Sequence, residues 1–228
     1  MRAIASAALL LALAAAAVFT SAAGATNECH GIQQCIRVPG PWVVVPAHGT
    51  TQFLLACPKG RGVVGGLDAQ ATTRDVRVSF DGRLGAPVQP GQTTTRYAFF
   101  HAVSLSGRKQ AFQPLLGCIP TQGGGGRSTV SARVVPVGQA LEYRSRVVVV
   151  GPGDVKFGHV SCERTEKLVG SWHAIAFRTK QPPNLAHVGL VRARHAIAGK
   201  KVVVTASSTD ALSPDAHAIV QVGAECAP

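Results

Sequence analysis

One eleven-residue pattern occurs twice in this chain, and any fold must house both copies. Val43-Val44-Val45-Pro46-Ala47-His48-Gly49-Thr50-Thr51-Gln52-Phe53 aligns without gaps to Val147-Val148-Val149-Val150-Gly151-Pro152-Gly153-Asp154-Val155-Lys156-Phe157. The three Val, the Gly and the Phe coincide. Cys57 follows the first copy and Cys162 the second, and each is followed by a Val-Gly pair, Val64-Gly65 and Val169-Gly170. Further on, Gly91 precedes Cys118 by 27 residues and Gly199 precedes Cys226 by 27, and both Cys sit two before a Pro. Self-similarity over this length is the mark of a duplicated supersecondary unit.

The duplication predicts disulfides. If each copy closes on itself, Cys57 bonds Cys118 and Cys162 bonds Cys226. Cys29 and Cys35 then close a small N-terminal loop. Crosslinking a loop of ~60 residues contributes about 4 kcal/mol in the chain-entropy account. Metal ligation by Cys29, His30 and Cys35 is the competing reading. It lacks a fourth ligand, and the export signal described next favours oxidised thiols.

Arg2, the apolar run 4–19 and the small residues Ser21-Ala22-Ala23-Gly24-Ala25 read as a cleaved signal peptide over residues 1–25. No later stretch is apolar for about 18 residues, so no membrane span is expected after cleavage. The expected order is then an N-terminal segment with the small Cys loop (26–40), a first β-module (41–120), a Gly-rich linker (121–128) and a second β-module (129–228). The run Gly123-Gly124-Gly125-Gly126 marks that linker, since four glycines offer no side chains to pack.

The fold class follows from short runs rich in Val, Ile, Thr and Phe, broken by Gly, Pro and Asp about every ten residues. Strands are expected at 42–45, 52–56, 76–80, 96–103, 129–135, 144–150, 172–177, 188–194, 201–206 and 216–222. This cadence predicts an all-β chain of two tandem antiparallel β-sandwich-like modules, about seven strands each. No mature segment holds a helical period over about 12 residues.

Cys57-Pro58-Lys59-Gly60 followed by Val63-Val64-Gly65-Gly66 resembles the Cys-Pro-x-Gly…Gly-Gly motif of β-modules in uncharacterised secreted bacterial proteins. The resemblance covers about 80 residues of the first module. It implies a β-fold, closure by a late Cys such as Cys118, and an extracellular location. It implies no activity. The second copy departs from it at Cys162-Glu163-Arg164-Thr165 and Gly170-Ser171.

Candidate chemistry is sparse. The chain has 11 carboxylates, and only Glu163 and Glu166 lie close in sequence; solvated loop charge explains them as well as a glycosidase pair does. There is no Gly-x-Ser-x-Gly elbow. Gly170-Ser171-Trp172-His173 brings a Ser near a His, but as strand neighbours they are assigned to opposite faces. Gly65-Gly66 reads as a tight turn or bulge and not as a phosphate loop. His173-Ala174-Ile175, His195-Ala196-Ile197 and His217-Ala218-Ile219 recur at intervals of 22. Three such His on adjacent strands would suit a metal, yet chance repetition in an Ala-rich chain explains them too. No metal or other cofactor is expected.

Charge carries the partner signal. The formal charge is +12, with 16 Arg against 7 Lys. Arg144 and Arg146 share one strand face, Arg192 and Arg194 another, and Lys200 and Lys201 adjoin them. Arg grips phosphate and carboxylate in pairs, and a basic exported protein is drawn to polyanions. Basic edge strands that merely resist aggregation are the plainer alternative. Few aromatics stand ready to stack bases, and no nucleic-acid fold signature is present. The sequence thus predicts a secreted, non-catalytic protein that binds anionic envelope or extracellular material, an envelope polymer or another polyanion, through basic faces. A hydrolase with a site hidden from sequence and a self-associating surface protein are the alternatives.

Overall fold

The computed structural model describes residues 36–58, 62–81, 96–119 and 141–228. They form an all-β protein. The first half contributes β1 (Ile36–Pro39), β2 (Trp42–Val45), β3 (Thr50–Ala56), β4 (Val63–Ala71), β5 (Val76–Asp81), β6 (Tyr97–Ser104) and β7 (Gln110–Ile119). The second contributes β8 (Glu142–Val150), β9 (Val155–Ser161), β10 (Lys167–Phe177), β11 (Val191–Ala198), β12 (Lys201–Ser208) and β13 (Ala218–Ala227). A short helix, α1 (Leu185–Gly189), and a 3-10 turn (Pro214–Ala216) interrupt the second half.

A seven-stranded sheet runs β1-β7-β2-β10-β13-β8, with β4 on the far side of β7. Two three-stranded sheets, β3-β6-β5 and β9-β12-β11, complete the fold. Neighbour relations recur: β7 lies between β2 and β4, and β13 between β8 and β10; β6 lies between β3 and β5, and β12 between β9 and β11. The large sheet crosses both halves because β2 pairs β10, at Ala176↔Val43 and Phe177↔Trp42.

Two cores form on opposite faces of that sheet. Val43, Val45, Ala174, Ala176 and Ile219 join Phe53, Phe100 and Phe112 on one face. Val44, Phe177, Val220 and Val222 join Val191, Val202 and Val204 on the other. Strands in the middle are therefore covered on both sides, which is why β2 is four buried residues without alternation. The first core reaches under the second half. Phe99 of β6 stacks on Tyr143 of β8 with ring centroids 4.6 Å apart and meets Trp172 of β10 edge-on at 4.8 Å.

Cys57 bonds Cys118 and Cys162 bonds Cys226, with sequence separations of 61 and 64. This is the pairing the repeat predicts. Cys29 and Cys35, residues 1–25, the Gly-rich segment and the strand expected at 129–135 lie outside the described residues. No helix among the described residues is long and apolar enough to cross a membrane.

Three expectations need correction. Residues 188–194 are not one strand: Asn184 caps α1 by accepting from the N–H of Ala186, the helix ends at Leu190, and β11 begins at Val191. Ala216 belongs to the 3-10 turn, and β13 begins at Ala218. Strands β1, β4, β7 and β9 were not expected. Gly65-Gly66 sits inside β4, where the ladder slips between Val64 and Gly66 as a bulge produces; β10 slips likewise between Leu168 and Gly170.

Candidate functional site

The hairpin β11–β12 turns through two residues, Gly199 and Lys200, closed by the pair Ala198↔Lys201. Gly199 has φ 62°, a left-handed value that glycine adopts freely. The tight turn fixes the register, and register decides which residues face outward. Val202, Val204 and Ala206 point into the core. The alternate positions form cross-strand rows on the outer face: Arg192–Ser207–Val155, Arg194–Thr205–Phe157, Ala196–Val203–His159 and Ala198–Lys201–Ser161.

These twelve positions include three permanent cations and no carboxylate. Arg192 and Arg194 are exposed, two apart on the edge strand β11. Phe157 stands beside them across Thr205 with 70% of its surface in water. An exposed Phe next to Arg offers an apolar platform within reach of charged donors. Lys200, in the turn, donates to the carbonyl oxygen of Arg164 and so fixes a fourth basic side chain at the end of the face.

The other basic residues singled out from sequence go elsewhere. Arg146 is exposed on β8, away from this face. Arg144 ties down the loop after Cys162: its Nη2 lies 2.8 Å from Glu166 and 3.1 Å from Glu163. Glu166 also accepts from the N–H of Glu163 at 2.7 Å. Burial works against the charge on Arg144, but the hydrogen bonds to the two Glu and their negative charge hold its pKa raised. Glu163 and Glu166 thus bind one Arg and do not face each other as an acid–base pair.

A second cluster lies between β10 and β11, which belong to different sheets and pack face to face. Ser171 and His173 are two residues apart on β10, so they share a face; the assignment to opposite faces is corrected by strand alternation itself. Both point toward His195 on β11. Ser171 Oγ is 3.2 Å from His195 Nε2, and His195 Nδ1 is 2.6 Å from His173 Nδ1. All three are half-buried. Burial holds the His173 pKa below the ordinary value of 6.5; the neighbouring His195 adds to this, and a hydrogen bond to the backbone of Ala193 opposes it.

Only two of the three His-Ala-Ile histidines therefore meet. His217 caps the 3-10 turn with φ 44° and is exposed. The repeat spacing hinted at the His173–His195 pair, but nothing in sequence tied Ser171 to His195. The one cluster of potential metal ligands among the described residues is Cys162, Glu166 and Cys226. Its two sulfurs are already bonded to each other. Compared with protein families, curated proteins and solved structures, the chain matches none.

Proposed function

We propose that the chain is an exported protein of two duplicated, disulfide-closed β-sandwich modules that binds an anionic polymer of the cell envelope. Binding uses the outer face of β9-β12-β11. The observation that carries this reading is the charge asymmetry of that face: Arg192, Arg194 and Lys201 with no carboxylate among twelve outward positions. Such a face attracts polyanions and is not self-neutralised. Phe157 adds apolar contact, which suits the flat faces of sugar rings.

Export is supported by the leader-like residues 1–25 and by two disulfides. Duplication is supported by the recurring neighbour relations and by bulges at both Val-Gly pairs. The test is co-sedimentation of the oxidised mature protein with isolated envelope material and with purified acidic polysaccharide. The protein should pellet at low salt and be released at high salt. Arg192→Glu with Arg194→Glu should stay soluble at low salt. Salt-insensitive binding, or full binding by the reversed variant, would remove the basis for the proposal.

A further inference from the structure

Neutral imidazole donates from one ring nitrogen and accepts at the other. The Nδ1 atoms of His173 and His195 lie 2.6 Å apart, so one of them donates to the other. In the tautomer in which His195 Nδ1–H donates to His173 Nδ1, His195 Nε2 has a lone pair aimed at Ser171 Oγ, 3.2 Å away.

In that tautomer the order is Ser171 hydroxyl, His195 as acceptor, His173 as the group that orients His195. This is the arrangement a serine nucleophile requires: a base in hydrogen-bond reach, itself held in one tautomer by a third group. We propose that Ser171 is a nucleophile toward carboxylic esters with short acyl groups. The neighbouring side chains set the substrate class. Ile197 and Val169, two residues along from His195 and Ser171 on the same strands, are 60% and 56% exposed. Apolar neighbours offer contact to an uncharged acyl group such as acetyl.

Ser171 Oγ attacks the ester carbonyl carbon, and its proton passes to His195 Nε2. The carbon–oxygen bond to the leaving alcohol breaks, and His195 returns the proton to that alcohol. The acyl group stays on Ser171 until water, deprotonated by His195, attacks its carbonyl carbon; the bond to Ser171 Oγ then breaks, His195 returns the proton to that oxygen, and the carboxylic acid leaves. His173 is a positioning residue. It touches neither substrate nor the reacting oxygen, and it accepts from His195 while that ring bears charge. The inference is independent of polymer binding, since Arg192 and Arg194 lie on the opposite side of β11.

The test treats the oxidised mature protein with a fluorophosphonate and, separately, with p-nitrophenyl acetate, and locates adducts by peptide mass. One adduct is expected, on Ser171. Ser171→Ala should give none while retaining wild-type near-UV circular dichroism. His195→Gln should slow labelling by about 100-fold or more, the usual contribution of a general base. His173→Gln should slow it less and move the pH midpoint of labelling, which loss of packing alone does not do. No adduct on Ser171 in the folded wild type, or equal labelling in His195→Gln, overturns the proposal.

Discussion

The side-chain amide of Gln221 on β13 closes a two-bond bracket around the backbone of Leu54 on β3. Its Oε1 accepts from Leu54 N–H at 2.7 Å, and its Nε2 donates to the Leu54 carbonyl oxygen at 2.9 Å. Leu54 is paired with β6 on one side only, so Gln221 takes the place a further strand would occupy. Gln221 is 2% exposed in a strand otherwise apolar at that level. Gln221→Leu should lower unfolding free energy by about 2–4 kcal/mol, because two backbone groups lose their partner. Urea unfolding of the whole chain measures it. A loss under about 0.5 kcal/mol would show that water replaces the amide at no cost.

Gly223 seats an indole. A Cβ at Gly223 would fall 2.0 Å from Trp172 Cζ2, and Trp172 is held from the other direction by Phe99. Gly223→Ala must therefore displace the ring, at about 1–3 kcal/mol. Near-UV circular dichroism and tryptophan emission should both change. An unchanged spectrum with unchanged stability would mean that the indole has room to move.

Arg144 offers a control for the binding face. Arg144→Ala removes both ion pairs to the loop after Cys162 and strands Glu166, whose side chain is 15% exposed. Stability should fall by about 1–2 kcal/mol. Binding to acidic polysaccharide should be retained. If binding falls as far as in the Arg192 and Arg194 reversal, total charge and not the β9-β12-β11 face governs attraction.

His173 makes stability depend on pH in one direction. Its folded pKa lies below 6.5, through burial first and then the neighbouring His195. Above pH 6.5 neither the folded nor the unfolded chain carries that proton, and the group contributes nothing to the slope. As pH falls through 6.5 the unfolded chain protonates while the folded protein resists, so stability declines. Urea midpoints from about pH 8 to about pH 5 should show this decline, and His173→Gln should flatten it. Identical slopes in both proteins would place the titration elsewhere.

What sequence revealed depended on how far apart the interacting residues lie and what joins them. Cys57–Cys118 and Cys162–Cys226 were legible because repetition supplied a rule for pairing. Strands β2, β3 and β12 were legible because Val, Thr and Phe run together there. Strand β7 was hidden by Pro114, which ordinarily demotes a strand. In the fold, Gln113 and Pro114 fall between the stretch paired to β1 and the stretch paired to β2, so the missing N–H is not needed on that side. Strand β4 was hidden by Gly65 and Gly66. Arg144 read as a ligand group because Glu166, 22 residues away, gives no local sign of its partner. The Ser171–His195 contact joins strands of different sheets, and no rule of strand alternation reaches across that gap.

The joint of β2 with β10 is a meeting of unlike edges. On the proposed duplication, the counterpart of β2 is β8 and that of β10 is β4. Those two strands lie at the opposite ends of the described sheet. The halves therefore join front to back, like tiles in a row, and not face to face like a closed pair. Such a joint consumes one edge of each kind and leaves one of each kind at the ends. Two is then not a number the contact geometry imposes, and the same contact describes a row of any length.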